Sequence, residues 1–220
     1  MLVGIRATHK PLTVALLGVF FTTIVWTLYV VLMSVAPAPF ADENLRALVR
    51  VGVVLLPAVV ISKTQRNVSA WDYFRLRKRW LRGTIIGFIT SAAYLALVAL
   101  FQMQNPSFEL PSGLAIWFNF IVGSPLAEEL LYRGMLYAEL ERVMKPIWAM
   151  LISALMFAIL HLPVWIIMDQ LDIAAIIGNF FQIFAYGLAF AALLRFTRSL
   201  WAPLAAHWLN NFVLLSIVSR

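Results

Sequence analysis

Long apolar runs separated by short polar segments dominate the pattern along this chain. Several runs reach the roughly 20 residues that a helix needs to cross a bilayer. We therefore predict seven membrane spans, at Leu12–Ala36, Leu45–Ile61, Thr84–Phe101, Leu114–Tyr137, Ile147–Ile167, Ile173–Leu194 and Leu200–Val218. The expected fold class is all-α, a polytopic transmembrane helical bundle of about seven spans with an intramembrane active-site cavity.

Composition supports the same class. Of the 220 residues, 63% are hydrophobic and only 12% are charged, far from the values of a soluble globular domain. The length leaves no room for a separate soluble domain, so we expect a single transmembrane domain over residues 1–220. The chain contains no cysteine, which excludes disulfides, thiolate metal sites and a cysteine nucleophile.

Basic residues collect on one side of the predicted spans. Thirteen of the 17 lie near the N-terminus or in the connections after spans two, four and six, whereas Arg46 and Arg50 are assigned to the opposite side. Cytoplasmic loops carry such an excess of lysine and arginine. We therefore expect an integral membrane protein with a cytoplasmic N-terminus.

The densest basic run is RLRKRWLRG, residues 75–83. No folded domain presents this run, which argues against a nucleic-acid partner. An interfacial segment on anionic lipid fits better, with Trp71, Phe74 and Trp80 dipping into the bilayer. The expected partner of this segment is the lipid bilayer.

Three ionisable residues interrupt the fourth span, in LAEELLYRGMLY. Adjacent helical residues point about 100° apart, so Glu128 and Glu129 cannot face the same spot. Glu129 and Arg133 are separated by four residues, the spacing of an ion pair along one helix face, and we expect this pair to be structural. Glu128 then has no partner on its own helix, which suits a general base.

Spans five and seven carry two of the three histidines. Phe157 and His161 share a helix face, and His207 and Asn211 share another. Measured from the cytoplasmic end at about 1.5 Å per residue, the depths of Glu128, His161 and His207 are about 15, 20 and 10 Å. We expect these side chains to converge with Asn211 near mid-membrane.

Such a group of side chains predicts peptide hydrolysis. Glu128 would deprotonate a water that His161 helps to hold. His207 and Asn211 would donate hydrogen bonds to the oxyanion. A zinc site made by Glu128, His161 and His207 is the alternative, because two imidazoles and a carboxylate match a catalytic zinc centre. Asparagine is a poor zinc ligand and no H-E-x-x-H helix is present, so we favour glutamate-activated water and assign no cofactor.

Other polar residues have simpler interpretations. Asn210 and Gln182 suit hydrogen bonds between helices. Glu139 and Glu141 follow the fourth span and are expected to form a solvated helix end.

Three motifs occur in order: E-E-x-x-x-R at Glu128–Arg133, F-x-x-x-H at Phe157–His161 and H-x-x-x-N at His207–Asn211. Together they resemble the motifs of the CPBP family (CAAX-protease and bacteriocin-processing, or ABI) of intramembrane proteases, over about residues 115–215.

The resemblance implies a water-activating Glu128 assisted by His161, and an oxyanion pair of His207 and Asn211. It also implies that Glu129 and Arg133 are the supporting ion pair and that Phe157 is a packing residue of its motif.

The family also bears on the substrate. Its eukaryotic prenyl-protein proteases look like eight-span proteins against the seven spans predicted here, so we expect the first third of the chain to be arranged differently. The small size favours a bacterial plasma membrane. Bacteria generally lack prenylated CAAX proteins, so we expect another membrane-associated peptide or protein as substrate. Bacterial relatives are associated with bacteriocin or signal-peptide maturation and with self-immunity. The alternatives to an endopeptidase are a non-catalytic immunity or scaffold protein on the same fold and a proton-coupled carrier.

Overall fold

The computed structural model describes residues 10–36, 42–64, 68–102 and 107–218, and this part of the chain is almost entirely helical. The first helices are α1 (Lys10–Val35), α2 (Glu43–Thr64), the single turn α3 (Ala70–Tyr73) and α4 (Trp80–Gln102). Two-residue strands β1 (Ser107–Phe108) and β2 (Ile217–Val218) pair antiparallel.

A long central helix, residues 114–141, follows β1. It consists in order of α5 (Leu114–Ile116), π1 (Trp117–Gly123), α6 (Ser124–Glu129), π2 (Leu130–Tyr137) and α7 (Ala138–Glu141), where π1 and π2 have π-helical hydrogen bonding. The chain continues through α8 (Pro146–Ile159), a π-helical turn π3 (Val164–Met168), α9 (Ile173–Thr197) and α10 (Trp201–Ser216).

Six described helices are long and apolar enough to cross a membrane: Leu12–Val35, Glu43–Lys63, Trp80–Leu97, Leu114–Val143, Pro146–Met168 and Ile173–Thr197. They correspond to the first six predicted spans. The seventh corresponds to α10, whose 16 residues fall short of the roughly 20 that cross a bilayer alone. The predicted all-helical membrane fold is confirmed, with one span shorter than expected.

The central helix lies inside the bundle. Residues 127–140 are buried without a break, because α1, α2, α8, α9 and α10 all pack around this helix. Outward-facing apolar side chains such as Phe20, Ile89 and Phe181 are instead more than half exposed. The ionisable residues of the central helix are therefore enclosed by protein, the environment in which charges at membrane depth are found.

Helix α10 is fixed by close contact with α4. A Cβ atom on Gly87 would overlap the backbone carbonyl oxygen of Ala202, and one on Gly83 would lie 2.7 Å from Ser199 Oγ. One turn further along α4, Ser91 Oγ donates a hydrogen bond of 3.1 Å to a backbone carbonyl of α10. Small residues four apart allow helix backbones to approach in this way.

The segment after α3 differs from the sequence-based expectation. Trp71 and Trp80 are exposed, as expected of interfacial side chains, but Phe74 is only 5% exposed. Its ring covers Gly134 of π2, where a Cβ atom would lie 2.6 Å from the ring. The prediction that Phe74 dips into lipid is therefore wrong, because the missing side chain at Gly134 leaves room for the ring inside the protein.

The expected solvated helix end at Glu139 and Glu141 is also wrong. Glu139 is 2% exposed and accepts a hydrogen bond of 2.9 Å from the Tyr73 hydroxyl. Burial raises the pKa of Tyr73, so this hydroxyl remains a donor.

Glu141 forms salt bridges of 3.1 Å to Arg75 and 3.0 Å to Arg195. The two acids therefore tie the end of the central helix to the segment after α3 and to α9.

We predict that Gly87→Ala destabilises the protein by about 1–3 kcal/mol, because the added methyl must push α4 away from α10. The measurement is the thermal unfolding midpoint of the detergent-purified protein. The matched control is Gly178→Ala in α9, where a Cβ atom meets nothing within 4 Å; it should be neutral or stabilising by about 0.5–1 kcal/mol. Equal effects of the two substitutions would contradict the close packing.

Candidate active site

The backbone around Glu128 is irregular on both sides. Both glutamates belong to the six-residue α6, which begins at Ser124, has Pro125 in its first turn and lies between π1 and π2. π-Helical segments are rare and are often found at functional sites. Side chains of α10 partner the π1 backbone: Asn211 Nδ2 donates to the Phe120 carbonyl at 2.8 Å, and Trp208 Nε1 to that of Val122 at 3.2 Å.

Glu128, His161, His207 and Asn211 all line one cavity of about 250 Å³. A smaller cavity of about 170 Å³ is lined again by Glu128 and His161. The structure thus brings together the four residues that the sequence singled out, from the central helix, the turn after α8 and α10.

Glu129 contacts two positively polarised groups at once. Its Oε1 lies 3.1 Å from Arg133 Nη1, with both side chains fully buried, and 3.0 Å from His207 Nδ1. The arginine contact is an ion pair whose N–H direction misses hydrogen-bond geometry, whereas the imidazole contact is a hydrogen bond. The sequence anticipated the arginine but not the histidine, since no spacing rule links residues 129 and 207.

Arg133 is enclosed by aromatic rings and backbone. Its guanidinium carbon lies 4.2 Å from the Phe157 ring centroid and 5.4 Å from that of Phe190. Its Nη2 donates to the Gly187 carbonyl at 3.3 Å. These contacts replace part of the hydration that a buried guanidinium loses.

Glu128 faces a different neighbour. Its Oε2 is 3.9 Å from His207 Nε2, the ring nitrogen opposite the one held by Glu129. The His207 ring also stacks on Phe190, with centroids 5.0 Å apart and planes 27° apart. One imidazole therefore lies between two carboxylates, in a fixed plane.

His161 lies in the turn between α8 and π3, two residues before Pro163. Its backbone N–H donates a hydrogen bond of 3.1 Å to the Ala158 carbonyl. The Phe157 carbonyl is therefore available to the side chain and lies 2.9 Å from His161 Nδ1. A carbonyl can only accept, so Nδ1 carries a proton, and Nε2 of the neutral ring is an acceptor. The Phe157 ring packs edge-on against this imidazole, with centroids 5.0 Å apart.

Arg50 of α2 is a site residue that the sequence analysis misplaced. It lines both cavities beside Glu128, close enough for their charges to interact, and its guanidinium lies 4.9 Å from the Phe120 ring. The distribution of basic residues placed Arg50 on the non-cytoplasmic side of the membrane, although the residue falls inside the predicted span Leu45–Ile61. An arginine within an apolar run was the available signal.

Gln182 also differs from expectation. Its amide donates a hydrogen bond of 3.2 Å to the hydroxyl of Tyr186, which lies in the same helix. The Tyr186 hydroxyl in turn lies 2.9 Å from the hydroxyl of Tyr94 in α4. The interhelical link is thus made by the tyrosines. Gln182 and Asn210 both line the 250 Å³ cavity.

The zinc alternative requires three ligands that can meet at one point. Across residues 10–36, 42–64, 68–102 and 107–218, no group of three or more histidine, aspartate and glutamate side chains could hold a metal ion. Glu128, His161 and His207 all line the cavity but do not form such a group.

The fold and this buried polar site define a helical membrane protein with an intramembrane cavity. Residues 109–213 match the family model of the Rce1-like type II CAAX prenyl endopeptidases. The resemblance drawn from the three motifs is confirmed, because the matched segment contains all three and the match is to the CAAX protease family. The match supports a membrane endopeptidase. No curated protein and no solved structure matches the chain.

We predict that Arg133→Ala lowers the free energy of unfolding by about 3–5 kcal/mol, because it leaves the Glu129 charge buried without its ion pair. Yield and thermal midpoint in detergent are the measurements. The control is Arg77→Ala, which removes a salt bridge made by an arginine side chain that is 72% exposed. Its loss should lower the free energy of unfolding by less than about 1 kcal/mol. A wild-type melting curve for Arg133→Ala would show that the ion pair does not stabilise the fold.

Proposed function

We propose that this protein is an intramembrane endopeptidase that hydrolyses a peptide bond in a membrane-associated peptide or protein, using Glu128 to activate water. The observation that carries the proposal is the cavity shared by Glu128, His161, His207 and Asn211. The alternative of a water activated by a divalent metal such as zinc lacks a three-residue ligand group in the described part of the chain.

Glu128 and His161 are proposed to act on the water. The carboxylate takes one proton as the hydroxide oxygen bonds to the substrate carbonyl carbon. His161 accepts a hydrogen bond from the same water at Nε2, since its Nδ1 proton is held by the Phe157 carbonyl. The proton on Glu128 then passes to the departing amine nitrogen as the C–N bond breaks, which leaves an acid, an amine and an ionised Glu128.

His207 and Asn211 are proposed to stabilise the oxyanion. Because Glu129 accepts the Nδ1 proton of His207, the ring can donate from Nε2 only when it carries both protons. The carboxylates of Glu128 and Glu129 lie on either side of the ring, 3.9 Å from Nε2 and 3.0 Å from Nδ1. Asn211 has a second amide hydrogen, beyond the one given to Phe120.

Arg50 is proposed to position Glu128 through its charge. Rings of Trp26 and Phe120 hold the guanidinium, at 5.3 and 4.9 Å. The guanidinium lines the same two cavities as Glu128, so its positive charge attracts the carboxylate and holds it at the cavity.

The setting proposed for this reaction is a bacterial plasma membrane, with the N-terminus in the cytoplasm as the distribution of basic residues predicts. The substrate is proposed to be a peptide or protein held in the bilayer, such as a bacteriocin precursor or a signal peptide. A prenylated CAAX protein is not the proposed substrate.

We expect Glu128→Gln to abolish cleavage while insertion, yield and melting remain near wild type, because glutamine keeps the shape but cannot accept the proton. Membrane peptide populations from cells with wild type and variant would be compared by mass spectrometry. Glu109→Gln, at an exposed acid beside β1, is the matched control and should leave the peptides unchanged. Unaltered cleavage products in Glu128→Gln would refute the base assignment and favour a non-catalytic immunity or scaffold role.

Asn211→Ala should reduce the cleavage rate constant by about 10²–10³-fold, the usual loss for one oxyanion donor. A peptide found by the preceding comparison would serve as substrate. Asn179→Ala is the control, because Asn179 lines the same cavity but has no assigned role. Similar losses in both variants at unchanged melting temperature would count against the oxyanion role.

A further inference from the structure

A second cavity system lies beside the proposed active site and belongs to none of the steps above. An apolar groove of about 570 Å³ runs between α4, α9 and α10. At one end it meets a cleft of about 900 Å³, here called the basic cleft, lined by Arg75, Glu141, Met150, Ala192, Arg195, Phe196 and Arg198. Ala192 and Phe196 line both, so groove and cleft are continuous.

The basic cleft has an excess of positive charge. Three guanidinium groups face one carboxylate, and Glu141 is already shared by Arg75 and Arg195. Arg198, exposed at the end of α9, adds a further charge. Planar guanidinium groups favour phosphate oxygens as partners, so an anion with such oxygens fits the cleft.

The groove offers an apolar wall on which most polar side chains already have hydrogen-bond partners, although Asn210 Oδ1 has none among the residues that the structure describes. Thr90 Oγ1 bonds carbonyls of its own helix at 2.8 and 3.1 Å, Ser91 Oγ bonds α10 at 3.1 Å, and Tyr94 and Tyr186 pair their hydroxyls. A peptide backbone would bring polar groups that need partners at this depth. A hydrocarbon chain needs none, which favours an acyl chain as the occupant.

The dimensions agree with a lipid of one leaflet. One leaflet is half of the roughly 30 Å hydrocarbon core, or about 15 Å deep. At about 1.5 Å per residue, a helix covers this depth in about ten residues. Counted from Arg198, this distance ends at Leu188, between Tyr186 and Phe190. Those two residues line both the groove and the 250 Å³ site cavity.

We propose that the basic cleft and the apolar groove together bind an anionic phospholipid, with the phosphate at Arg75, Arg195 and Arg198 and an acyl chain along α9. The exposed Phe196, at 70%, marks the boundary between the two parts. The end of the chain lies against the wall of the site cavity, so the bound lipid forms part of the surroundings of the proposed active site.

The test is native mass spectrometry of the whole protein in detergent with phosphatidylglycerol or phosphatidylcholine of the same acyl chains. The wild-type protein should retain phosphatidylglycerol in preference to phosphatidylcholine. Arg198→Gln should weaken that retention by about tenfold, the loss of one charge-assisted hydrogen bond. Ala189→Trp places a bulky side chain in the groove and should weaken the retention of phosphatidylglycerol without changing any charge.

Two controls separate this site from general attraction to lipid. Arg82→Gln removes an exposed charge outside the cleft, and Ala92→Trp adds the same bulk at an exposed site of α4 outside the groove; both should retain lipid like wild type, as should Glu128→Gln. If the test and control variants all melt at the wild-type temperature and lose the lipid to the same extent, the proposal is overturned. So would glycerol phosphate or inorganic phosphate binding as tightly as the lipid, or phosphatidylcholine retained equally well.

Discussion

The contact of Glu129 with both Arg133 and His207 is the interaction on which the interior depends. A buried carboxylate and a buried guanidinium each lose hydration worth several kcal/mol, and their attraction compensates only with good geometry and further hydrogen bonds. Here the further partners are the His207 imidazole at 3.0 Å and the Gly187 carbonyl at 3.3 Å. The Glu129–Arg133 pair therefore ties π2, α9 and α10 together, and the carboxylate fixes the His207 ring.

This arrangement gives the two adjacent glutamates separate tasks. Successive helical positions point in different directions, so Glu129 faces the ion pair while Glu128 faces the cavity. His207 connects them, since Nδ1 meets Glu129 and Nε2 lies 3.9 Å from Glu128. A substitution at Glu129 would therefore disturb both folding and the histidine, whereas one at Glu128 leaves the ion pair in place. Because the two acids are adjacent, the charge of Glu129, which pairs with Arg133, also orients His207, a residue of the proposed chemistry.

Sequence patterns predicted the helices and the members of the cavity well, because apolar runs and four-residue spacings report local geometry. They failed where contacts join distant residues. Phe74 and Glu139 are buried through partners on other elements, Gly134 and Tyr73, that no local pattern identifies. Arg50 was counted with the charges on the non-cytoplasmic side, although it lies within the predicted span Leu45–Ile61. The π-helical segment π1 was also not predicted from the sequence, because its carbonyls have partners in side chains of the distant α10.

The short α10 shows how tertiary contacts replace length in a membrane. With 16 residues, it is too short to span a bilayer of about 30 Å by itself, yet it supplies His207 and Asn211. Its position is set from two sides, by the glycine face of α4 and by the hydrogen bonds of Asn211 and Trp208 to π1. Loosening the α4 contact should move His207 relative to Glu128 even though α4 contributes no residue to the proposed chemistry. Packing on the far side of α10 is thus a condition for the 3.9 Å approach between the two side chains.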